Sequence, residues 1–135
     1  MLDPEEVARR ARKLRLVVTD VDGVLTDGGV YYGAHGEELK RFSLRDGMGV
    51  ERLRAEGIET IFLTRETSPI VQARAAKLRV PVYGGVRDKR AHFPILLAEA
   101  ALEADAVAYI GDDINDLELL ELVSAQGLSG APADA

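Results

Sequence analysis

The sequence predicts an α/β fold in three layers, with helices on both faces of a central parallel sheet. Short apolar runs at residues 16–18, 58–63, 80–83 and 106–110 alternate with amphipathic helical segments. This alternation is typical of parallel strands joined by right-handed crossovers. The polar motifs of the chain directly follow these runs, and so fall at the edge where open α/β sheets bind ligands.

Composition excludes several classes of site. The chain has 135 residues, which suits one domain, residues 1–135, with a hydrophobic core. Its 17 basic and 23 acidic residues give a net charge of −6, which argues against a nucleic-acid surface because such a surface needs a basic stripe. The lack of cysteine excludes disulfides and thiolate ligands, and two histidines are too few for a multi-histidine metal site.

The sequence gives no indication of export or membrane insertion. No apolar run approaches the length of a bilayer span. The first residues carry neither the basic nor the apolar segment of a signal peptide. We therefore expect a cytoplasmic protein with no membrane partner.

Helix starts are predicted from capping residues, which satisfy free amides of the first turn. Three such residues precede helical segments, Asp3, Asp46 and Ser68, and a further helix is expected to open at Asp88 and Lys89. A fifth helix follows the last apolar run, and its spacing predicts four residues that face the sheet: Ile114, Leu117, Leu120 and Val123. Residues 125–128 are expected to begin a fifth strand.

A β-hairpin is predicted as an insertion over about residues 30–42, after the first strand. Residues 30–32 and 38–42 flank a loop, residues 33–36, that contains two glycines. The two tyrosines and one phenylalanine of the hairpin make it a candidate for pairing with another subunit.

The first apolar run leads into an acidic, glycine-rich turn at residues 20–29. Residues 16–18 contain no polar residue, which predicts a strand buried on both faces. Asp20 and Asp22 follow at its carboxyl end. Two carboxylates one residue apart can share a hard cation, and one of them can attack an electrophile to form a covalent intermediate. The alternative is an ordinary polar turn that happens to hold two aspartates.

Because the carboxyl ends of parallel strands meet at one edge, polar residues from several strands are expected there within reach of Lys89: Asp20, Asp22, Thr64, Asp112 and Asp113. Crowded carboxylates repel one another unless a cation neutralises them, and an all-oxygen ligand set favours Mg²⁺. Mg²⁺ beside a hydroxyl and an ammonium group can hold a phosphoryl group. With Asp20 as nucleophile and Asp22 as proton donor and then base, the site would form a hydrolase.

Four motifs follow one another in an order typical of a known superfamily. Residues 20–28 resemble the first motif of the haloacid dehalogenase (HAD) superfamily of phosphatases. Thr64 stands where that superfamily places the Ser or Thr of its second motif, Lys89 matches the third motif, and residues 111–116 match the fourth. The resemblance covers nearly the whole chain, and it implies a Rossmann-like (HAD-like) fold without a separate cap domain.

The resemblance also implies roles for individual residues. It implies four catalytic residues: Asp20, Asp22, Thr64 and Lys89. Mg²⁺ would be held by the carboxylates of Asp20 and Asp112 and by the backbone carbonyl of Asp22. Asp113 and Asp116 would support these metal ligands from behind. The reaction implied is hydrolysis of a phosphate monoester through an aspartyl-phosphate intermediate.

The hairpin and the absent cap resemble the 3-deoxy-octulosonate (KDO) 8-phosphate phosphatase group. Residues 64–69 and 74–78 are more similar to relatives that act on nonulosonate 9-phosphates. This subtype implies a sugar-acid phosphate as substrate. The residues expected to bind it belong to the first motif, the second motif and the third helix: Gly23, Arg65, Glu66, Arg74 and Lys77. It also implies homotetramers in which the hairpins form a central barrel and one subunit caps the site of another.

The chain departs from the family pattern at two places. Arg65 stands where the superfamily usually has Gly after the Thr of the second motif. Because Gly lets the backbone approach a phosphate closely, Arg65 either supplies an extra cation or narrows the pocket. Relatives also continue past residues 132–135 with a strand, a Gly-rich segment and a helix that helps to close a neighbouring site.

Two other functions are compatible with parts of the sequence. A phospho-receiver domain needs a phospho-accepting Asp at the end of a middle strand, whereas the strand at residues 58–63 ends in Thr64. A catalytically weak or inactive oligomerisation module is consistent with Arg65. Such a scaffold would gain nothing from the mutually repelling carboxylates of Asp20, Asp22 and Asp112, which favours the enzyme.

Overall fold

The computed structural model describes residues 2–134 of the chain. The described strands are β1 (Leu16–Thr19), β2 (Tyr31–Gly33), β3 (Gly36–Leu39), β4 (Glu59–Leu63), β5 (Val82–Tyr83), β6 (Val107–Ile110) and β7 (Leu128–Gly130). The α-helices are α1 (Pro4–Ala11), α2 (Leu44–Ala55), α3 (Pro69–Leu78), α4 (Lys89–Ala100) and α5 (Leu117–Ser124). Short 3₁₀ helices span Ala104–Ala106 and Ile114–Asp116. Within residues 2–134, no helix is both long and apolar enough to cross a bilayer.

Five of the strands form one parallel sheet in the order β5-β4-β1-β6-β7. β1 lies at its centre, where Val18 is in register with Ile61 of β4 and Tyr109 of β6. The carboxyl ends of β1, β4 and β6 therefore lie side by side at one edge. This arrangement confirms the predicted α/β fold with a central parallel sheet.

The sheet is covered on both faces, which gives the three layers. On one face, α4 and α5 contribute buried Phe93, Leu96, Leu119 and Val123 to the core. On the other face, the core holds side chains from α2, α3, β4 and the turn before β5: Val50, Val71, Ala75, Phe62 and Val80. Burying these side chains supplies the main favourable free energy of folding, at about 25 cal/mol per Å² of apolar surface.

The predicted hairpin is present, with shorter strands than the sequence suggested. β2 pairs with β3 in antiparallel fashion, and the register shifts between Tyr31 and Tyr32. A single antiparallel bridge between Thr26 and Phe42 attaches the base of the hairpin to the loop after β1. Tyr31 and Tyr32 are 65% and 73% exposed, so the outer face of the hairpin is apolar and uncovered within this chain.

The prediction that Asp46 caps α2 is wrong. Ser43 is the N-cap residue, and its Oγ accepts a hydrogen bond of 3.2 Å from the Arg45 amide. The helix thus begins before Asp46, which lies in its first turn, where a carboxylate still interacts favourably with the helix dipole. The other two predicted caps, Asp3 and Ser68, are confirmed, and Asp88 caps α4 at the predicted start of that helix.

The inward face predicted for the last helix is correct at Leu120 and Val123, which pack in the core, and wrong at Ile114 and Leu117. Ile114 and Leu117 are 85% and 53% exposed, while Leu119 and Val123 are almost fully buried. The error arises because Ile114–Asp116 forms a 3₁₀ turn, so that α5 does not begin until Leu117. A 3₁₀ turn has three residues per turn instead of 3.6, which rotates the inward face away from the pattern that starts at Ile114.

Candidate active site

A polar cavity of about 360 Å³ opens at the carboxyl edge of the sheet. Its lining includes nine of the residues predicted from the sequence: Asp20, Asp22, Gly23, Thr64, Arg65, Glu66, Lys89, Asp112 and Asp113. Gly28 and Asn115 complete the lining. Residues 20–23 follow β1, residues 64–66 follow β4, residues 112–115 follow β6, and Lys89 is the first residue of α4. The predicted convergence of these segments on one edge is therefore present.

The loop after β1 is held by its own hydrogen bonds. The Asp20 amide still donates to the Ile110 carbonyl at 2.9 Å, which extends the sheet up to the acidic residue. Thr26 Oγ1 then accepts hydrogen bonds from the amides of Gly23 and Gly28, at 3.1 and 3.2 Å. The loop thus turns back on itself and presents Asp20 and its neighbours to the cavity.

Gly23 is required for close packing between two site loops. Its φ is +81°, and a Cβ atom there would lie 1.8 Å from Asp112 Oδ2. Any side chain at this position would displace the Asp112 carboxylate. Gly28 also has a positive φ, +83°, but the nearest atom to a Cβ there is 4.0 Å away.

Lys89 lies buried between two carboxylates. Its Nζ is 3.2 Å from Asp20 Oδ1 and 2.5 Å from Asp116 Oδ1, and it donates a hydrogen bond of 3.1 Å to the Tyr109 hydroxyl. Tyr109 in turn donates to Asp116. A buried ammonium group remains charged only where such partners replace its lost hydration. Lys89 therefore provides a fixed positive charge beside Asp20.

Asp116 is fully buried and connects Lys89 to the loop after β6. Its second oxygen accepts hydrogen bonds from the amides of Asp112 and Asp113, at 3.1 and 3.2 Å. Burial alone would raise the pKa of Asp116, but the hydrogen bonds from Lys89 and Tyr109 outweigh it and hold the pKa below its ordinary value. Asp116 is thus an ionised anchor for the site.

Burial raises the pKa of Asp20 to about 7; Lys89 opposes this shift, and the charge of Asp116 adds to it. Burial also raises the pKa of Asp112, although the hydrogen bond with Asp20 acts in the opposite direction. The two carboxyl groups therefore retain protons more readily than free aspartates do. The main cause of both shifts is burial, and the negative charge of Asp116 adds to it in each case.

The donor atoms of this cluster fit a hard divalent cation. One carboxylate oxygen from each of Asp20, Asp112 and Asp116 lies within 4.8 Å of the other two. Oxygen ligands without nitrogen or sulfur are the set that Mg²⁺ prefers. Because Asp116 already binds Lys89 and two amides, Asp20 and Asp112 are the carboxylates available to a cation.

The loop after β4 places the hydroxyl group of Thr64 and the guanidinium group of Arg65 at the cavity. Thr64 is 2% exposed, and its Oγ1 accepts a hydrogen bond of 3.2 Å from the Glu66 amide. Arg65 extends across the opening, where its Nη1 lies 3.4 Å from Asn115 Oδ1. The Arg65 side chain therefore connects the loop after β4 with the loop after β6, at the mouth of the cavity.

Two residues predicted to bind substrate lie outside this cavity. Arg74 Nη2 donates a hydrogen bond of 3.1 Å to the Ser43 carbonyl, and its guanidinium carbon is 5.6 Å from the centre of the Phe42 ring. Lys77 is exposed on α3. In this chain Arg74 connects α3 to the start of α2, and the substrate-binding roles of Arg74 and Lys77 stay predictions.

Sequence reasoning missed two residues that contact the site. Lys40 of the hairpin segment places its Nζ 2.6 Å from Asp22 Oδ1. Tyr109 lies in an apolar strand, and its only signal was that a buried tyrosine needs a partner for its hydroxyl. Lys40 gave no signal at all, because a lysine at the end of a hairpin strand ordinarily extends into solvent.

Comparison with known proteins identifies the class. No protein-family model matches the chain. It is 41% identical over 131 residues to the KDO 8-phosphate phosphatase KdsC of Escherichia coli K12, covering 96% of this chain and 68% of that protein. The corresponding protein of Yersinia pestis is 40% identical over 132 residues, covering 97% and 69%. The chain spans about two thirds of the length of these curated relatives.

Solved structures agree. The crystal structure of the Yersinia pestis phosphatase superposes with a TM-score of 0.88 at 41% identity, covering 97% of this chain and 70% of that one. The Moraxella catarrhalis enzyme, in complex with magnesium, phosphate and KDO, gives a TM-score of 0.83 at 30% identity, covering 95% and 82%. The fold and the strand-edge carboxylates are those of a HAD-superfamily phosphatase. Within that superfamily, the chain belongs to the KDO 8-phosphate phosphatase family.

The raised pKa of Asp20 predicts a pH-dependent stability of the metal-free protein. The pKa of Asp20 is about 7 in the folded protein and about 3.9 in the unfolded chain. Between these two pH values the folded state binds more protons than the unfolded state, so the protein loses stability as the pH rises through this range. Asp20→Asn should therefore stabilise the protein at pH 8 by at least about 1 kcal/mol more than at pH 5. Urea unfolding in EDTA at both pH values measures this difference.

The matched control is Asp27→Asn, which removes an exposed carboxylate from the same loop. It should change the stability by similar amounts at both pH values. Parallel pH profiles for the wild type and Asp20→Asn would contradict the assignment of this titration to Asp20.

The packing of Gly23 predicts a specific loss of cation affinity. Gly23→Ala and Gly28→Ala both strain a residue with positive φ, but only Gly23→Ala collides with Asp112. We expect Gly23→Ala to weaken Mg²⁺ binding by about 10–100-fold, the range seen when the support of a ligand is disturbed. Gly28→Ala should retain it. The measurement is the rise in Tm with Mg²⁺ concentration, and equal rises in the two variants would refute the role given to Gly23.

Proposed function

We propose that this protein is a Mg²⁺-dependent phosphatase that hydrolyses the phosphate monoester of a sugar acid, of the KDO 8-phosphate or nonulosonate 9-phosphate type. The observation that supports this most directly is the position of Asp20. Its carboxylate lies beside the buried Lys89 ammonium, 3.2 Å away, in a cavity that the buried Thr64 hydroxyl also lines. Relatives at 40–42% identity carry the name of this activity.

In the first step, a carboxylate oxygen of Asp20 attacks the phosphorus atom. The new O–P bond forms as the bond between phosphorus and the sugar oxygen breaks, and Asp22 donates a proton to that leaving oxygen. Lys89 and Thr64 hold the phosphoryl oxygens through an ammonium group and a hydroxyl. Because these groups are already in position, they stabilise the phosphoryl group during its transfer without any rearrangement of the protein.

In the second step, Asp22 acts as a base. It accepts a proton from a water molecule, whose oxygen attacks the phosphorus of the aspartyl-phosphate and breaks its bond to Asp20. Inorganic phosphate leaves, and both aspartates return to their starting states. The side chain of Asp22 is 36% exposed, which gives it access to both the leaving oxygen and water.

The cation belongs to this proposal as well. Mg²⁺ would be held by the carboxylates of Asp20 and Asp112 and by the backbone carbonyl of Asp22, with Asp113 and Asp116 supporting these ligands. When bound, it neutralises negative charge on the phosphoryl oxygens. The support comes from the oxygen cluster of this chain and from relatives described as magnesium-bound or cobalt-bound.

The mouth of the cavity is where we place recognition of the sugar acid. Arg65 and Glu66 line it, and the guanidinium of Arg65 is a suitable partner for the substrate carboxylate. Gly23 keeps the backbone close to the phosphate. Arg74 and Lys77 lie outside the cavity of their own chain, so we assign them to substrate binding within an assembled protein.

The hairpin offers a surface for assembly. We propose a homotetramer joined through the hairpin, because Tyr31, Tyr32 and Leu39 expose apolar side chains on one small element. We also propose a cytoplasmic location, since a substrate that carries a phosphate and a carboxylate does not cross a bilayer unaided.

The test is phosphate release from KDO 8-phosphate, a nonulosonate 9-phosphate and 4-nitrophenyl phosphate, each with Mg²⁺ and with EDTA. We expect Mg²⁺-dependent release that favours a sugar acid, and a loss of roughly a thousandfold or more in Asp20→Asn because the nucleophile is gone. Asp27→Asn is the control and should retain activity. A folded wild-type protein that binds Mg²⁺ and releases no phosphate from any ester would instead favour an oligomerisation module.

A further inference from the structure

The hairpin segment contributes a buried charge to the site. Lys40 follows β3, and its side chain is only 3% exposed. Its Nζ lies 2.6 Å from Asp22 Oδ1 and 3.2 Å from Glu37 Oε1. Lys40 is therefore unlike the solvated lysines typical of hairpins, since both of its partners are carboxylates and one of them belongs to the catalytic loop.

A second hydrogen bond anchors this pair to the opposite side of the site. Glu37 Oε2 accepts a hydrogen bond of 2.6 Å from Ser68 Oγ. Ser68 is the N-cap residue of α3 and ends the loop that carries Thr64. A chain of contacts thus runs from Asp22 through Lys40 and Glu37 to Ser68, and joins three segments: the loop after β1, the hairpin, and the start of α3.

We propose that Lys40 is a positioning residue that fixes the side chain of Asp22, the proton donor and acceptor of the reaction. This inference rests on the proposed phosphatase function. Lys40 binds Oδ1 of Asp22, whereas Oδ2 has no hydrogen-bond partner within residues 2–134. One oxygen is held by the hairpin and the other is left for the substrate oxygen or water.

The burial of Lys40 favours keeping this contact in place. A lysine that loses its hydration must keep its carboxylate partners, because separating them would leave a buried charge uncompensated. Glu37 holds Lys40 from the hairpin, and Ser68 holds Glu37 from α3. Support of this kind keeps a reacting group within a fraction of an ångström of its working geometry.

If Lys40 positions Asp22, the rate loss caused by removing Lys40 should depend on the leaving group of the ester. A poor leaving group such as an alkoxide needs a proton from Asp22 as the P–O bond breaks, whereas 4-nitrophenolate leaves without one. A misplaced Asp22 should therefore slow hydrolysis of an alkyl phosphate more than that of 4-nitrophenyl phosphate. A purely structural defect would slow both esters by the same factor.

The experiment compares kcat/KM for glycerol 3-phosphate and 4-nitrophenyl phosphate, because kcat/KM reports the step in which the leaving group departs. We expect Lys40→Met to lower the value for the alkyl ester at least about tenfold more than for the aryl ester, within the 10²–10⁴-fold that acid–base catalysis contributes. Lys40→Arg should lose less kcat/KM for the alkyl ester than Lys40→Met does, since arginine keeps a positive charge at this position. Lys13→Met is the matched control, because the Lys13 side chain is exposed and its Nζ lies 3.8 Å from Asp105 Oδ2 in a surface ion pair.

Glu37→Gln provides a second variant in case Lys40→Met does not fold. Glu37→Gln leaves Lys40 and Asp22 in place but weakens the contact that holds Lys40. It should therefore shift the ratio of the kcat/KM values for the two esters in the same direction as Lys40→Met, by a smaller factor. Equal losses for both esters in the folded variants, or no loss in either, would overturn the positioning role. A wild-type protein that hydrolyses neither ester nor any sugar-acid phosphate would overturn the proposed function itself.

Discussion

The fixed charge of Lys89 inside a group of carboxylates is the interaction on which the site depends. Its ammonium group contacts both Asp20 and Asp116 while almost completely removed from water. Without it, the carboxylates at the ends of β1 and β6 would repel one another and open the loops that carry them. With it, they remain close but still hold an excess of negative charge. In the function we propose, that excess attracts a cation and, through the cation, a phosphoryl group.

The fold is what allows such a cluster to persist. β1 and β6 are neighbours in a parallel sheet, so their carboxyl ends place Asp20 and Asp112 beside each other. α4 begins with Lys89 and packs against the sheet through Phe93 and Leu96. This packing determines how far the Lys89 ammonium group lies below the surface. The repulsion among the acidic side chains is therefore opposed by a hydrophobic core that lies directly beneath them.

Much of this arrangement could be predicted from local sequence. Strand ends were marked by apolar runs followed by Asp20, Thr64 and Asp112, and a parallel sheet brings such ends together whatever the details of the loops. The contact between Lys40 and Asp22 could not be predicted, because the two residues are 18 positions apart and meet only through the path of the hairpin. The position of Arg74, which turns toward Ser43, likewise depends on how α3 packs on α2.

The errors in the sequence reasoning have physical causes. Asp46 and Ser43 are both good capping residues, and only the path of the chain after the hairpin decides which amides remain free. At the last helix, the inward face was assigned from Ile114 on the assumption of one continuous α-helix. A single 3₁₀ turn, stabilised where Asp113 caps it and Asp116 turns inward toward Lys89, breaks that periodicity. The demands of the site thus override the local pattern at that position.

The central claim is that Asp20 is the nucleophile. The most direct measurement is to quench the enzyme with acid during turnover of a phosphate ester, reduce the protein with borohydride, and map its peptides by mass spectrometry. Borohydride reduces an aspartyl-phosphate to homoserine, whereas it leaves a free carboxylate unchanged. We predict that homoserine forms at position 20, and only when substrate and Mg²⁺ are both present. Homoserine at another aspartate, or none during active turnover, would contradict the assignment of Asp20 as the nucleophile.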